Sequence, residues 1–394
     1  MQRRPHARGD EPASKRQHKV EATDIPDDVL EQVLLRLPVK SLMHFKSVCK
    51  SWRDTIASPH FERCQLQVSR ARRPSMLVLP LWVMDPPFRM DRIMFFAYPG
   101  HGAAAELMHE KAWSTGIESF GRPLHCDGLI VVAAALSSQI FVCNPATKEL
   151  VALPAGSPDY CYGCHQKIGF GVDPSNGKYK AVRCFERYSN EDMTSYSIGC
   201  ETFTLGERAW KMVVDPPYLV KPMTPVCLPG AIYWSNGITP STQTMLRFDL
   251  HKEFTVFPAP PCMELADLSS DLTDLDGKLC YALALNHTVQ LWMAEDDGVR
   301  PPKWLLRCTI VLPCPTLEIA PFSAYEGSIY LWVDLTYIYR YNPDHGGLER
   351  VVDMDKEMSY FHLQGTMCPY RPAGSNSVYC VMQYSETLVS IRGH

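Results

Sequence analysis

The 394-residue sequence lacks any apolar run long enough to cross a bilayer. Its longest runs, Met76–Met84 and Leu129–Leu136, fall far short of the roughly 18 residues that a membrane span requires. It also lacks an excess of charge of one sign, since 39 Lys and Arg stand against 43 Asp and Glu, for a net charge of -4. This balance provides no general field that would attract nucleic acid or anionic lipid. We therefore expect neither a membrane nor a nucleic acid as a partner.

The first 22 residues lack both an apolar core and the composition of a folded segment. They are polar and basic, so they do not resemble a secretory signal, and we expect them to be disordered. The 15 cysteines are scattered without the spacing of a disulfide framework. The sequence therefore predicts a cytoplasmic or nuclear protein. The basic run Lys15–Lys19 is either a nuclear import signal or a solvated tail.

Familiar catalytic motifs are also missing. There is no G-x-S-x-G elbow and no H-E-x-x-H helix. Cys161, Cys164 and His165 form a C-x-x-C-H pattern, but haem attachment would need an oxidising export route, and a zinc finger would need a second ligand pair. We predict no catalytic residue, no metal and no cofactor.

Helical spacing dominates the segment from Ile25 to Ile56. Apolar residues recur at steps of one, three and four, which places them on one face of a helix that Pro38 ends. Two further short helices would carry Leu42 with Phe45, and Val48 with Trp52. Three helices in little more than 30 residues are too few to bury this apolar surface alone. Either the rest of the chain or a partner must cover it.

The exact residues of this segment resemble a known domain. Ile25–Leu42 reads IPDDVLEQVLLRLPVKSL and Phe45–Arg53 reads FKSVCKSWR, and together they closely resemble the F-box. The resemblance implies docking onto a Skp-family adaptor within a cullin-based ubiquitin ligase. Carried over position by position, it implies these adaptor contacts: Ile25, Pro26, Val29, Leu30, Leu34, Leu37, Pro38, Val39, Leu42, Phe45, Val48, Cys49 and Trp52.

The remainder of the chain repeats at intervals of roughly 50 residues. A glycine followed by a β-rich run recurs at Gly128, Gly177, Gly230, Gly277 and Gly327. Four short strands with their turns need about 40–50 residues, which is one propeller blade. Strands left over at both ends would form a sixth, composite blade, with seven blades as the alternative. These end strands are Met76–Val83, Ile93–Tyr98, Glu106–His109, Ser377–Met382 and Thr387–Ile391.

These repeats resemble the F-box-associated domain of flowering-plant F-box proteins over most of residues 120–350. The residues that carry the resemblance include Cys126-Asp-Gly-Leu, Asn144-Pro-Ala-Thr-Lys, Gly230-Ala-Ile-Tyr-Trp and Trp304. The predicted fold class is α plus all-β, with a three-helix F-box before a six-bladed β-propeller. The predicted divisions are a disordered tail 1–22, the F-box 23–62, a linker 63–74 and a propeller-like substrate domain 75–394.

The two resemblances together predict the substrate-recognition subunit of a Skp–cullin–F-box ubiquitin ligase, without catalytic activity of its own. Its expected partners are the Skp-family adaptor, through it a cullin and a RING subunit, and a protein substrate. Two alternatives stay open: a scaffold that binds the adaptor without degradation, and a propeller enzyme with its site at the channel mouth.

Loop lengths predict which end of the propeller binds the substrate. The turns between strands 1 and 2 and between strands 3 and 4 are tight, whereas the loops at the other end are long. Long loops on a rigid scaffold are where binding usually resides, and aromatic and arginine side chains are enriched at binding hot spots. The predicted substrate contacts are Tyr160, Tyr162, Arg187, Tyr188 and Tyr218.

Overall fold

The computed structural model describes residues 26–83, 90–102, 104–117, 120–134, 139–160, 167–190, 195–220, 225–235, 244–250, 253–262, 270–295, 302–316, 318–361 and 377–392. Four helices come first: α1 Asp27–Leu35, α2 Val39–Phe45, α3 Lys50–Ile56 and α4 Pro59–Arg70. The three predicted helices are confirmed. None of the helices in these ranges is long and apolar enough to cross a membrane.

Helix α4 occupies most of the segment that we predicted to be a linker. Its start follows the ordinary rules, because Pro59 is its first residue and the Ser58 hydroxyl accepts a hydrogen bond from the Phe61 N–H at 3.1 Å. Phe61, Gln65 and Ser69 then repeat at helical spacing and are buried. The arginine and serine content of residues 63–74 gave no sign of this helix, whose start signal lies just before them.

The rest of the described chain forms six sheets, so the prediction of six blades is confirmed. Blade 1 contains β1 Ser75–Val83, β2 Met90–Tyr98, β3 Ala104–Ile117, β24 Ser359–Phe361 and β25 Ser377–Tyr384. Blade 2 contains β4 Leu124–Cys126, β5 Leu129–Ala133, β6 Ile140–Asn144 and β7 Glu149–Ala152. Blade 3 contains β8 Lys167–Asp173, β9 Lys178–Ser189, β10 Tyr196–Thr204 and β11 Lys211–Met212.

The last three blades follow the same plan. Blade 4 contains β12 Val226–Leu228, β13 Ala231–Ser235, β14 Thr244–Asp249 and β15 Phe254–Pro258. Blade 5 contains β16 Ser270–Leu275, β17 Lys278–Leu285, β18 Thr288–Glu295 and β19 Lys303–Val311. Blade 6 contains β20 Ile319–Tyr325, β21 Ser328–Val333, β22 Tyr337–Asn342 and β23 Gly347–Asp353.

The ring closes through blade 1. Strand β25 pairs antiparallel with β1 from Ser75↔Tyr384 to Val83↔Ser377, and it contacts the first strands of blades 2 and 6. Strand β25 therefore takes the innermost position, and β1, β2 and β3 complete the blade outward. The predicted composite blade is confirmed, and it removes the open sheet edges that would otherwise invite aggregation.

One predicted strand at the end of the chain is wrong. Residues 385–390 form neither a helix nor a strand. Side chains take the place of a neighbouring strand: the Asn144 amide donates to the carbonyls of Thr387 and Val389 at 3.0 and 2.9 Å, and the Leu388 N–H donates to Gln65 at 3.0 Å. We call residues 385–392 the terminal segment.

The hairpin turns define two ends of the propeller. In each four-stranded blade the strand 1–2 and strand 3–4 connections share one end, which we call the tight-turn end, and the others lie at the opposite, long-loop end. Blade 5 departs from the predicted lengths, since residues 286–287 join β17 to β18 whereas residues 296–302 join β18 to β19. Asp127 and Gly128, between β4 and β5, both have positive φ, as a type I′ turn requires. A Cβ on Gly128 would lie 2.5 Å from the Thr387 hydroxyl oxygen, so the terminal segment passes directly over this turn.

Candidate functional site

The predicted adaptor contacts fall into two groups in the structure. Leu34, Val39 and Leu42 are at most 1% exposed and form an internal core with Ile56, Phe61 and Leu388. Leu388 belongs to the terminal segment, so the far end of the chain covers part of the apolar face of the helices. These three side chains support the fold of the F-box and do not form an open surface.

The second group remains at the surface. Val29 and Val48 are 48% and 59% exposed, and Pro26, Pro38 and Cys49 are also exposed. Four further predicted contacts are half-buried: Leu30, Leu37, Phe45 and Trp52. Ile25 lies outside the described residues.

Sequence reasoning missed one member of this surface. Val33 is 53% exposed and lies one turn after Val29 on α1. Its spacing from Val29 was the available signal, since residues four apart share a helix face. We call Val29, Val33 and Val48, with Pro26 and Pro38, the exposed F-box surface.

Helix α4 joins the F-box to blade 2. The Arg70 guanidinium donates two hydrogen bonds to the Asp127 carboxylate, at 2.8 and 2.7 Å. Asp127 also accepts a hydrogen bond from the Tyr179 hydroxyl at 3.1 Å, and its carbonyl accepts one from Thr387 at 2.7 Å. The turn at Asp127 therefore holds a helix, the terminal segment and blade 3 together.

The terminal segment makes further contacts between the helices and the propeller. We call these contacts, together with those of Asp127, the joint. Glu386 accepts a hydrogen bond from the N–H of Val39, the first residue of α2, at 3.2 Å. The Glu386 carbonyl accepts from Gln65 and Ser69 of α4. Burial raises the pKa of Glu386, although the Val39 N–H favours its charged form. One short segment thus holds α2, α4 and the propeller in a fixed arrangement.

The joint lies at the tight-turn end of the propeller. Its contacts are Asp127 in the β4–β5 turn, Ala146 in the β6–β7 turn and Tyr179 at the start of β9. All three positions lie at the same end because adjacent strands are antiparallel. The F-box therefore covers part of the tight-turn end, and the long-loop end faces the other way.

Tyr160 and Arg187, two of the predicted substrate contacts, are neighbours at the long-loop end of blade 3. The Tyr160 N–H donates to the Glu186 carbonyl at 2.9 Å, and the Tyr160 side chain is 56% exposed. Arg187 forms a two-pronged ion pair with Asp215 at 2.8 Å and lies over the Phe185 ring. Tyr188, the next residue, is also exposed.

Tyr218, another predicted contact, does not join this group as an open surface. Tyr218 is half-buried and packs against the core of blades 3 and 4, and burial raises the pKa of its hydroxyl. Tyr162 lies outside the described residues. Tyr160, Arg187 and Tyr188 thus lie in the same part of the long-loop end, where the backbone of Tyr160 bonds to that of Glu186, and we call them the blade 3 patch.

Buried charges hold the loop that presents Tyr160. Glu201 accepts hydrogen bonds from the N–H and hydroxyl of Ser157, and Arg183 donates to the Ser157 carbonyl at 2.8 Å. Arg183 and Glu201 pair at 2.7 Å with each side chain 2% exposed. Buried ion pairs contribute little net stability, so their clearest consequence is a fixed position for this loop. The sequence around Arg183 and Glu201 gives no sign that these two charged side chains are buried.

The central channel is crossed by an ion pair at its long-loop end. Arg122, just before β4 of blade 2, pairs with Asp271 in β16 of the opposite blade 5. The same guanidinium lies 4.9 Å from the ring centre of Trp332 in blade 6. Burial raises the pKa of Asp271, and the nearby Arg122 opposes that shift. Protein side chains therefore fill this part of the channel.

Comparison with known proteins gives matches over both parts of the chain. The family model of the F-box domain matches residues 23–64, and that of the F-box associated beta propeller domain matches residues 89–322. The F-box protein At2g34280 of Arabidopsis thaliana is 30% identical over 319 residues, covering 69% of this chain and 78% of the relative. The F-box protein At5g10340 of the same plant is 26% identical over 394 residues, covering 93% and 84%. The F-box/LRR-repeat/kelch-repeat protein At1g09650, also of Arabidopsis, is 29% identical over 343 residues, covering 80% and 86%.

Proposed function

Because this chain belongs to the F-box proteins that carry an F-box-associated β-propeller domain, we propose that it is the substrate-recognition subunit of a Skp–cullin–F-box ubiquitin ligase. The two domains and the relatives support a substrate-adaptor role. In the proposed assembly a Skp-family adaptor binds the F-box and connects it to a cullin and a RING subunit. The propeller binds the protein that is to be ubiquitylated.

The exposed F-box surface is the observation that carries this proposal. Val29, Val33 and Val48 are each about half exposed, although the neighbouring leucines are in the core. Exposed large apolar side chains mark interaction sites where they cluster, and Val29 and Val33 share one face of α1. The joint with the propeller leaves these valines uncovered, so an adaptor can reach them without disturbing the core around Leu388.

Charge substitutions at the exposed valines test adaptor binding without removing core contacts. We expect Val29→Glu combined with Val48→Glu to abolish co-purification with a recombinant Skp-family adaptor, because the interface would have to bury two carboxylates. The melting temperature should stay close to that of the wild type. Val256→Glu is the matched control, since Val256 is 49% exposed on the outer strand of blade 4. Adaptor binding by the double variant at wild-type stoichiometry would refute the proposed docking surface.

The opposite placement of the two surfaces supports substrate binding at the long-loop end. An adaptor at the F-box and a substrate at the blade 3 patch would not compete for space. The patch combines Tyr160 and Tyr188 with a loop that buried charges hold in place, and rigid aromatic side chains bind with little loss of conformational entropy.

The substrate surface can be tested by comparing proteins that become ubiquitylated in cells treated with a proteasome inhibitor. Tyr160→Ala combined with Tyr188→Ala should remove the proteins that depend on the wild-type chain, while adaptor binding persists. Val311→Ala, an exposed position on the outer strand of blade 5, is the control. An unchanged set of ubiquitylated proteins in the double variant would place recognition elsewhere.

A further inference from the structure

Three side chains that can bind metal meet where α1 contacts α4. Glu31 lies on α1, and His60 and Cys64 lie one turn apart on α4. The spacing of four residues places the imidazole and the thiol on the same face of that helix. One ligand atom from each of the three residues lies within 4.8 Å of the other two. The cluster uses no residue of the exposed F-box surface or of the blade 3 patch.

Two of the three distances within the cluster match a tetrahedral zinc site, and the third is at most 4.8 Å. His60 Nε2 is 3.4 Å from Glu31 Oε1 and 3.6 Å from Cys64 Sγ. Zinc bonds of about 2.0–2.3 Å to nitrogen, oxygen and sulfur, at tetrahedral angles, separate the donor atoms by about 3.3–3.6 Å. An ion could therefore bind these atoms with only small side-chain movements.

The chemistry of the donors selects the kind of ion. Thiolate and imidazole suit zinc, whereas magnesium and calcium prefer sites made of oxygen atoms alone. The site is open to solvent, because the His60 side chain is 68% exposed and that of Glu31 27%. Water can therefore supply the fourth ligand.

We propose that Glu31, His60 and Cys64 form a zinc-binding site that links α1 to α4. The bound ion would add a second connection between the helix that carries Val29 and the helix that joins the propeller. This inference does not depend on the proposed ligase function.

Cobalt titration of the full-length chain tests the site directly. Cobalt(II) takes tetrahedral zinc sites, and its bond to a thiolate produces a charge-transfer absorption that oxygen and nitrogen ligands do not give. We expect one cobalt ion per chain with this absorption, and its loss when zinc is added. Since even groups that merely support a ligand affect metal affinity about 10–100-fold, Cys64→Ser and His60→Gln should each weaken binding by more than about tenfold.

Two controls separate this site from other thiols. Cys49→Ser changes an exposed cysteine of the same domain that caps α3, where serine can also cap. Cys161→Ser combined with Cys164→Ser removes the C-x-x-C-H pattern. Both controls should keep the cobalt–thiolate absorption. The proposal is wrong if the wild type shows no such absorption, or if Cys64→Ser retains it.

Thermal melting gives a second measurement and excludes misfolding as the cause of lost binding. Zinc should raise the melting temperature of the wild type and of Cys49→Ser, because a ligand that binds only the folded state stabilises it. It should leave that of His60→Gln unchanged. His60 is exposed, so this variant should melt like the wild type without metal. Retained adaptor binding by His60→Gln would show that zinc binding and adaptor binding are separate properties. Failure of one proposal would then leave the other unaffected.

Discussion

The F-box and the complete blades differ in where the residues that complete their cores lie in the sequence. Blades 2 to 6 are each built from four consecutive strands that fill their own sheet. The F-box, by contrast, takes Leu388 into its core and Glu386 at the start of α2, both from more than 300 residues further along the chain. Blade 1 is likewise completed by β25. The difference indicates that local sequence suffices for a blade, whereas the F-box and ring closure depend on one C-terminal stretch.

Deletion of residues 377–394 should produce the largest effect. It removes the innermost strand of blade 1 and the segment that completes the F-box core, so both parts should lose their cooperative unfolding transition. Thermal melting and limited proteolysis would detect this loss. A chain lacking only residues 393–394 is the control. If the F-box of the longer deletion stays protected from protease, its core does not require the terminal segment.

Leu388→Ala should have the next largest effect. Removing a buried leucine side chain typically costs about 2–5 kcal/mol in the free energy of unfolding, and Leu388 is 6% exposed. Chemical denaturation would measure the loss. Leu305→Ala, at an exposed position on the outer strand of blade 5, should change the free energy of unfolding by less than about 0.5 kcal/mol. Equal losses in the two variants would contradict the role assigned to Leu388.

His125 gives this joint a dependence on pH. Its Nε2 accepts a hydrogen bond from the Gly128 N–H at 3.0 Å, so the folded state requires a neutral ring, and burial lowers the pKa of His125 to about 4. Between the ordinary pKa of about 6.5 and that value, the unfolded chain binds a proton that the folded chain does not. The free energy of unfolding should therefore fall as the pH decreases through this window, by up to about 3 kcal/mol.

The variant His125→Gln isolates this contribution. Glutamine can accept the same hydrogen bond and does not titrate, so denaturation curves from pH 7 to 4 should show a smaller loss of stability than for the wild type. Carboxylates with a raised pKa, such as Asp271 and Glu386, act in the opposite sense and are common to both proteins. Parallel curves for the two proteins would show that His125 is not the titrating group.

Arg70→Ala should have the smallest effect of the four. Its two hydrogen bonds to Asp127 are well formed, but the Arg70 side chain is 56% exposed, and such pairs contribute about 1 kcal/mol or less. Arg92→Ala is the control, because its contact with Glu110 is a surface ion pair away from the joint. A loss of stability as large as that of Leu388→Ala would mean that Arg70, and not the apolar core, fixes the F-box against the propeller.

The same difference explains how much could be predicted from the sequence. The blades were predictable, since each Gly-centred turn and its flanking strands lie close together in the chain. The three helices were also predictable from their spacing. Periodicity placed Leu34 on the same apolar face as Val29, however, and could not show that Leu34 joins a core with Leu388 whereas Val29 stays exposed.

The candidate sites were predictable only in part. Long loops with recognisable residue types led to Tyr160 and Arg187, and the structure joins Tyr160 to Glu186, the neighbour of Arg187, through a backbone hydrogen bond. Substrate binding at these residues stays a prediction. Arg183 and Glu201 were missed because alternation in a strand normally assigns charged residues to the solvent side. Their burial depends on the loop at Ser157 folding back over them, which is a tertiary contact without a local signal.

The position of β25 at the end of the sequence also determines the order in which parts of the protein can fold during synthesis. Residues 377–392 are translated after every other described element, so the F-box helices emerge early but cannot complete their core until the last blade strand is available. A chain cut short before residue 377 would carry five blades and all four helices, yet it would lack Leu388 and Glu386 beneath α2. Recruitment of a partner through the F-box would then be limited to chains whose propeller has already closed.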